Sequence, residues 1–189
     1  MSAWKIWLTT AVLVVLLGTA ALFFAVWNNI DSEWRQETAA AQYALDHSPI
    51  DRIDGHDLFT GAGVQEVFTG KDVFGRRWYA FVMPAPRGEA APFVVKSVQA
   101  DEVMPANEIA RRVAKDHLRV TSAHVGYVDP QSASAFHADS GVVWEVEATD
   151  TGDHRIFLYY DGRSGNLLWT SGPLKGQDPG ELWKEVLST

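Results

Sequence analysis

The chain has 189 residues, 47% of them hydrophobic, so it can bury a core and lies outside the composition of disordered chains. Its net charge of −8 argues against non-specific nucleic-acid binding, which needs clustered Lys and Arg to displace counterions from phosphates. It has no cysteine, which excludes disulfides, thiolate chemistry and Cys-based zinc sites.

The segment Ile6 to Trp27, IWLTTAVLVVLLGTAALFFAVW, carries no charge. As a helix it would run roughly 33 Å at about 1.5 Å per residue, against a hydrocarbon core of about 30 Å. Leu16 stands near its middle, Trp4 and Trp7 flank one end, and Trp27 closes the other, as interfacial aromatics do. Lys5 precedes the span, and Asp31 and Glu33 follow it. The positive-inside tendency then puts the N-terminus in the cytoplasm and the remainder outside. The rival reading is a cleaved signal peptide, with Gly18 and Ala20 as small residues at the cleavage site. The apolar run continues through Leu22 to Trp27, where a signal peptide should turn polar. Residues 1–28 are therefore expected to be a cytoplasmic tip and a single membrane anchor, with Ile6, Leu16 and Trp27 as anchor residues.

Residues 29–100 are expected to form a helix-plus-sheet unit. Asp31 and Ser32 are N-cap candidates for a helix to about His47, striped by Trp34, Thr38, Ala41 and Leu45 and stopped by Pro49. This helix is placed to continue directly from the span. GVQEVFTG, KDVFGR and RWYAFVMP read as strand, Gly75 turn and strand, and Phe93 to Val98 as a further strand beyond a Pro-rich loop.

The order recurs in residues 101–176. Pro105 opens a helix striped by Ile109 and Val113 and ending near Leu118, and His124 to Val128 reads as a short strand. In VVWEVEAT, Val142, Trp144, Val146 and Ala148 take one face, with Val143, Glu145, Glu147 and Thr149 on the solvated other. A DTGD turn leads to HRIFLYYD, the GRSG corner and LLW. The two halves repeat at a period of about 75 residues, which points to duplication. The fold class is α+β: a transmembrane helix followed by two small PepSY/cystatin-like units, each a helix packed on an antiparallel sheet with its own core. Residues 177–189 read as a short terminal helix, with Asp178 as cap and Trp183 on its apolar side.

Chemistry is sparse. None of the six histidines has HExxH spacing. His56 with Asp54 and Asp57 comes nearest to a metal cluster, yet IDGHDL reads as a polar turn. His137 lies in a loop, and Ser164 fills a tight turn. No nucleophile elbow, SxxK or P-loop is present. No catalytic residue, metal site, cofactor, small-molecule substrate or nucleic acid is expected.

The motifs VVWEVEA and IFLYYDGRSGNLLW, behind an N-terminal anchor and an outer helix, resemble the TseB-like regulators of cell wall elongation in Gram-positive bacteria and the wider PepSY-like class. The resemblance implies a non-enzymatic extracytoplasmic protein that associates with a class B penicillin-binding protein, a peptidoglycan transpeptidase. That family has no catalytic residues to carry over. Its first helix is rich in charge, whereas RQETAAAQYAL here is rich in alanine. Trp183 is the partner-binding nominee. The alternatives are a PepSY-type inhibitor of a secreted peptidase and a membrane-anchored hydrolase.

Overall fold

The computed structural model describes residues 3–129 and 141–172, and at residues 3, 5, 6, 9–11, 25 and 28–35 it describes the backbone alone. The expected terminal helix with Trp183, and the loop that carries His137, lie outside the described residues.

Helix α1 runs without a break over Ala3–His47, so the expected outer helix does continue from the apolar segment. The chain divides into two compact units at Gln42 and Tyr43. In the first unit the large apolar side chains stand in the open, from 51% exposed at Val12 to 76% at Trp7. Thr19 Oγ1 returns its hydrogen bond to Val15 O at 2.7 Å, so its hydroxyl is satisfied within the helix. Among the described residues no helix is long and apolar enough to cross a membrane.

The second unit holds two four-stranded antiparallel meanders, each with its strands in chain order. The first is β1 (Arg52–Phe59), β2 (Gln65–Lys71), β3 (Arg77–Pro84) and β4 (Phe93–Gln99). A 3-10 turn at Ala100–Glu102 leads to α2 (Ala106–Ala114). The second meander is β5 (Arg119–Val128), β6 (Gly141–Thr149), β7 (Arg155–Asp161) and β8 (Leu167–Thr170). The protein is thus α+β with few helices and a repeated layout of helix then meander.

Strand β1 corrects the reading of IDGHDL as a turn. Its burial alternates along Arg52–Phe59, but Gly55 and Asp57 occupy inward positions where apolar residues would have announced a strand. A register shift between Ile53 and Gly55 further breaks the period.

The two halves share a core cluster, while Ile50, Phe68, Ala80 and Val82 of the first half are buried outside it. One cluster unites Phe59, Val67 and Phe81 of the first sheet with Val125, Val143, Val146 and Tyr159 of the second, and with Ile109 and Val113 of α2. The second sheet is covered on both faces. Trp144, 5% exposed, lies on the α2 side, where its Nε1–H donates to Met104 O at 2.9 Å. Val143 and Glu145 lie on the opposite face, which meets β1 and β2 instead of water. The solvated-face reading of Glu145 is therefore corrected. Its Oε2 accepts a 2.5 Å hydrogen bond from the Tyr159 hydroxyl, and a Cβ at Gly61, in the β1–β2 connection, would strike that carboxylate and the Tyr159 ring.

Phe59 sets the approach of the sheets. It is 1% exposed, and its ring lies where a Cβ on Gly126 would be. Only glycine lets the ring sit against the β5 backbone. Phe59→Ala is expected to cost roughly 3–5 kcal/mol by cavity formation, and Gly126→Ala about 1–3 kcal/mol by overpacking. Glu145→Ala should cost about 1–3 kcal/mol, because the part-buried Tyr159 hydroxyl loses its acceptor. Urea unfolding of residues 43–189 measures all three. A loss at Glu145 within about 0.5 kcal/mol, typical of a surface substitution, would restore the solvated face.

Candidate functional site

Polar groups gather at three places: the seam between the sheets, the GRSG corner, and the β2–β3 turn. At the seam the side chains are committed to one another. Gln65 is 2% exposed, and its Nε2 donates to Tyr127 O at 2.5 Å while its Oε1 accepts from Tyr127 N at 3.0 Å. One amide thus imitates a strand pairing between β2 and β5. Beside it the His124 ring Nδ1–H donates to Asp57 Oδ2 at 2.8 Å.

The residues first considered for a metal separate on folding. Asp54 pairs with Arg52 at 3.0 Å and Lys71 at 3.7 Å, His56 meets Glu66 at 2.6 Å, and Asp57 turns to His124. His56 and Asp57 are neighbours on a strand, so their side chains leave on opposite faces. Among the described residues no group of three or more His, Asp or Glu side chains is placed to hold a metal ion.

Ser164 sits in the corner that joins β7 to β8, and Asp161 organises that corner. Its Oδ1 accepts from the amides of Arg163 at 3.1 Å and Ser164 at 2.6 Å, and from Ser164 Oγ at 2.7 Å. Gly165 completes the turn at a φ of 67°. Arg112 of α2 donates to Gly165 O at 2.7 Å, and Arg163 reaches Glu102 at 2.9 Å. The Ser164 hydroxyl is thus a turn element that donates to the Asp161 carboxylate. The corner borders a cleft of about 420 Å³ lined by Lys96, Ser97, Val98, Tyr127, Val142 and Arg163. Tyr159 and Tyr160, 8% and 4% exposed, are core, whereas Trp169 is 39% exposed and tilts over Tyr159 at 5.5 Å between centroids. The aromatics of YYDGRSGNLLW therefore divide between packing and surface.

The third place went unmarked in the sequence reading. In KDVFGR, Asp72 is 8% exposed and accepts four hydrogen bonds. They come from the Phe74 and Arg76 amides at 2.9 Å, Arg76 Nε at 2.6 Å and Trp78 Nε1 at 3.2 Å. An acid two residues before an aromatic and four before an arginine was the signal that could have found it.

Leu16 and Trp27, expected from the sequence to be anchor residues, are exposed on α1, at 63% and 60%. Ile6 is on the same helix, with its backbone alone described.

No model of a known protein family matches the chain, and no curated protein matches it. Among solved structures, the YpmB protein from Bacillus subtilis is similar, with a TM-score of 0.55 and 22% sequence identity. The match covers 72% of this chain and 96% of that one. The likeness is one of fold.

Burial pushes the Asp161 carboxyl up, but the hydrogen bonds from Ser164 and Arg163, with the Arg163 charge, outweigh it and hold the carboxyl below its ordinary value of 3.8. A depressed folded value means that Asp161 stabilises the fold above pH 3.8, and that this contribution is lost as the pH falls toward the folded value. Asp161→Asn is expected to destabilise residues 43–189 by on the order of 1 kcal/mol near neutral pH. It should also flatten the pH dependence of stability below about pH 4. Unfolding midpoints measured from pH 2.5 to 7, with a wild-type slope retained in the variant, would assign the acid sensitivity elsewhere.

Proposed function

We propose that the chain is a membrane-anchored, non-enzymatic binding protein. Its folded unit would stand outside the cell and influence wall elongation through a class B penicillin-binding protein. One observation carries the anchor: the apolar side chains of α1 stand exposed all along the described part of an uncharged segment. A helix that is apolar all round needs a hydrocarbon neighbour. The sequence extends that segment from Ile6 to Trp27, long enough to span.

The binding role rests on how the polar groups are used. The His, Asp and Glu side chains of the seam and of the GRSG corner hold the fold together. None is set up as a nucleophile with its base. The fold likeness supports the PepSY-like reading, and the resemblance in VVWEVEA and IFLYYDGRSGNLLW supplies the choice of partner. A tether helps such a protein physically, because confinement to one membrane raises the effective concentration of a co-anchored partner and fills weak contacts.

Two results are expected. In intact cells, a membrane-impermeant thiol reagent should label Glu89→Cys and leave Ser2→Cys unlabelled. The absence of native cysteine makes each substitution a single probe. Equal labelling of the two would remove the anchor. The full-length chain should also co-purify with a class B penicillin-binding protein from solubilised membranes. Trp183→Ala, at the partner-binding nominee, should reduce the yield without lowering the unfolding midpoint. A secreted peptidase in its place would favour the inhibitor alternative.

A further inference from the structure

Among the described residues of the second unit, the most exposed large apolar side chains are neighbours. Val73 is 73% and Phe74 79% exposed, at the tip of the β2–β3 hairpin. A floppy tip of this kind would be unremarkable, but this one is fixed. The four bonds to Asp72 pin both sides of the turn, Asp72 N donates to Arg76 O at 3.0 Å, and Gly75 N donates to Asp72 O at 2.9 Å. Gly75 takes a φ of 79°, which a residue with a Cβ would resist. The Arg76 guanidinium lies 5.2 Å from the Phe74 ring and 5.8 Å from the Trp78 ring, so the phenyl is backed by a cation that Asp72 holds in place. Burial pushes the Asp72 carboxyl up, but those hydrogen bonds outweigh it and keep it charged below the ordinary carboxylate range.

The charge around the tip opposes that of the chain. Lys71, Arg76 and Arg77 stand there against Asp72, which pairs with Arg76 at 2.6 Å, and Asp54, which meets Lys71 at 3.7 Å, in a protein whose net charge is −8. Arg76 and Arg77 are both exposed beside the apolar pair. A rigid apolar knob with arginines at its base is complementary to an apolar socket whose rim carries carboxylates. Preorganisation matters because a turn already held in place loses little backbone entropy on docking. Arginine and aromatic side chains are the types that carry contact energy.

We infer that the β2–β3 hairpin tip is the docking knob of this protein. Val73 and Phe74 enter an apolar socket on a protein partner, and Arg76 and Arg77 meet carboxylates at the socket's rim. The inference rests on the binding role proposed above and adds the surface and the chemistry of the partner's site.

The test uses the full-length chain in its native membrane, with a photoreactive benzoylphenylalanine in place of Val73 and, as control, in place of Glu89. The adduct is mapped to the partner peptide it joins. The inference expects an adduct from position 73, on an apolar surface flanked by Asp or Glu, and several-fold less from position 89. Phe74→Ala should lower its yield about tenfold or more, as loss of a central contact residue does. Arg77→Glu should lower it most at low salt, and the deficit should narrow as added salt screens the like charges. Asp72→Asn keeps Phe74 but loosens the turn, and should lower the yield with the folded unit intact. An adduct of this chemistry on a protein other than a penicillin-binding protein upholds the knob and removes the transpeptidase partner. The knob is overturned if position 73 yields no more than position 89, or if the adduct lies on lipid or on a surface without carboxylates. It is equally overturned if Phe74→Ala leaves co-purification of the penicillin-binding protein unchanged, a result under which the regulator reading survives.

Discussion

The fold depends on the contact of one ring with one bare backbone. Phe59 leaves the end of β1 and lies flat against Gly126 in β5. Beside it the buried Gln65 amide occupies both polar groups of Tyr127. A half of this chain alone would bury only about 60% of its unfolded surface, which leaves a domain of that size marginal. Joining the halves converts the inner face of each sheet into core. The Gln65 amide then solves the problem that such a junction creates, because the backbone of an edge strand cannot be buried with its donors and acceptors unmet. Without the amide, the N–H and C=O of Tyr127 would each lack this partner, at about 1–3 kcal/mol apiece if buried.

This junction also explains why the chain looks chemically empty. Side chains that another fold would gather into a site are distributed as fasteners: Asp57 to His124 across the sheets, Glu145 to Tyr159 beneath Gly61, Asp161 around the GRSG corner and Asp72 within its hairpin. Burial and the neighbouring Glu145 push the Tyr159 hydroxyl up, so it remains a donor through the physiological range and the fastening persists. What the molecule offers its surroundings, on the proposed reading, is shape and rigid surface. On the proposed reading, the membrane tether supplies proximity and that rigid surface supplies recognition.

Much of this order was legible. Alternation in VVWEVEAT placed Trp144 in the core, and the Gly-containing turns located the hairpins of both sheets. The limit of alternation is that it reports a face and not what covers the face. Glu145 and Val143 share a side that the pattern assigned to water and the fold assigns to the other sheet. Their partners are Gly61 and Phe59, more than eighty residues away in sequence. The same cause hid β1, where glycine and aspartate stand inward because Thr69 and His124 meet them. Asp72 and the exposed Phe74 were passed over because a buried carboxylate and a solvent-facing phenyl both run against the hydrophobic pattern.

The central claim is that the two sheets are one cooperative body joined at Phe59 and Gln65. Native-state hydrogen exchange of the full chain in detergent micelles tests it most directly. The inner strands β2 and β3 of the first sheet and β6 and β7 of the second should open with one shared free energy. Gln65→Leu should lower all four together. If either sheet exchanges through an opening about 2 kcal/mol or more below the other, or if Gln65→Leu affects one sheet alone, the sheets are separate units and the seam is not what holds the fold.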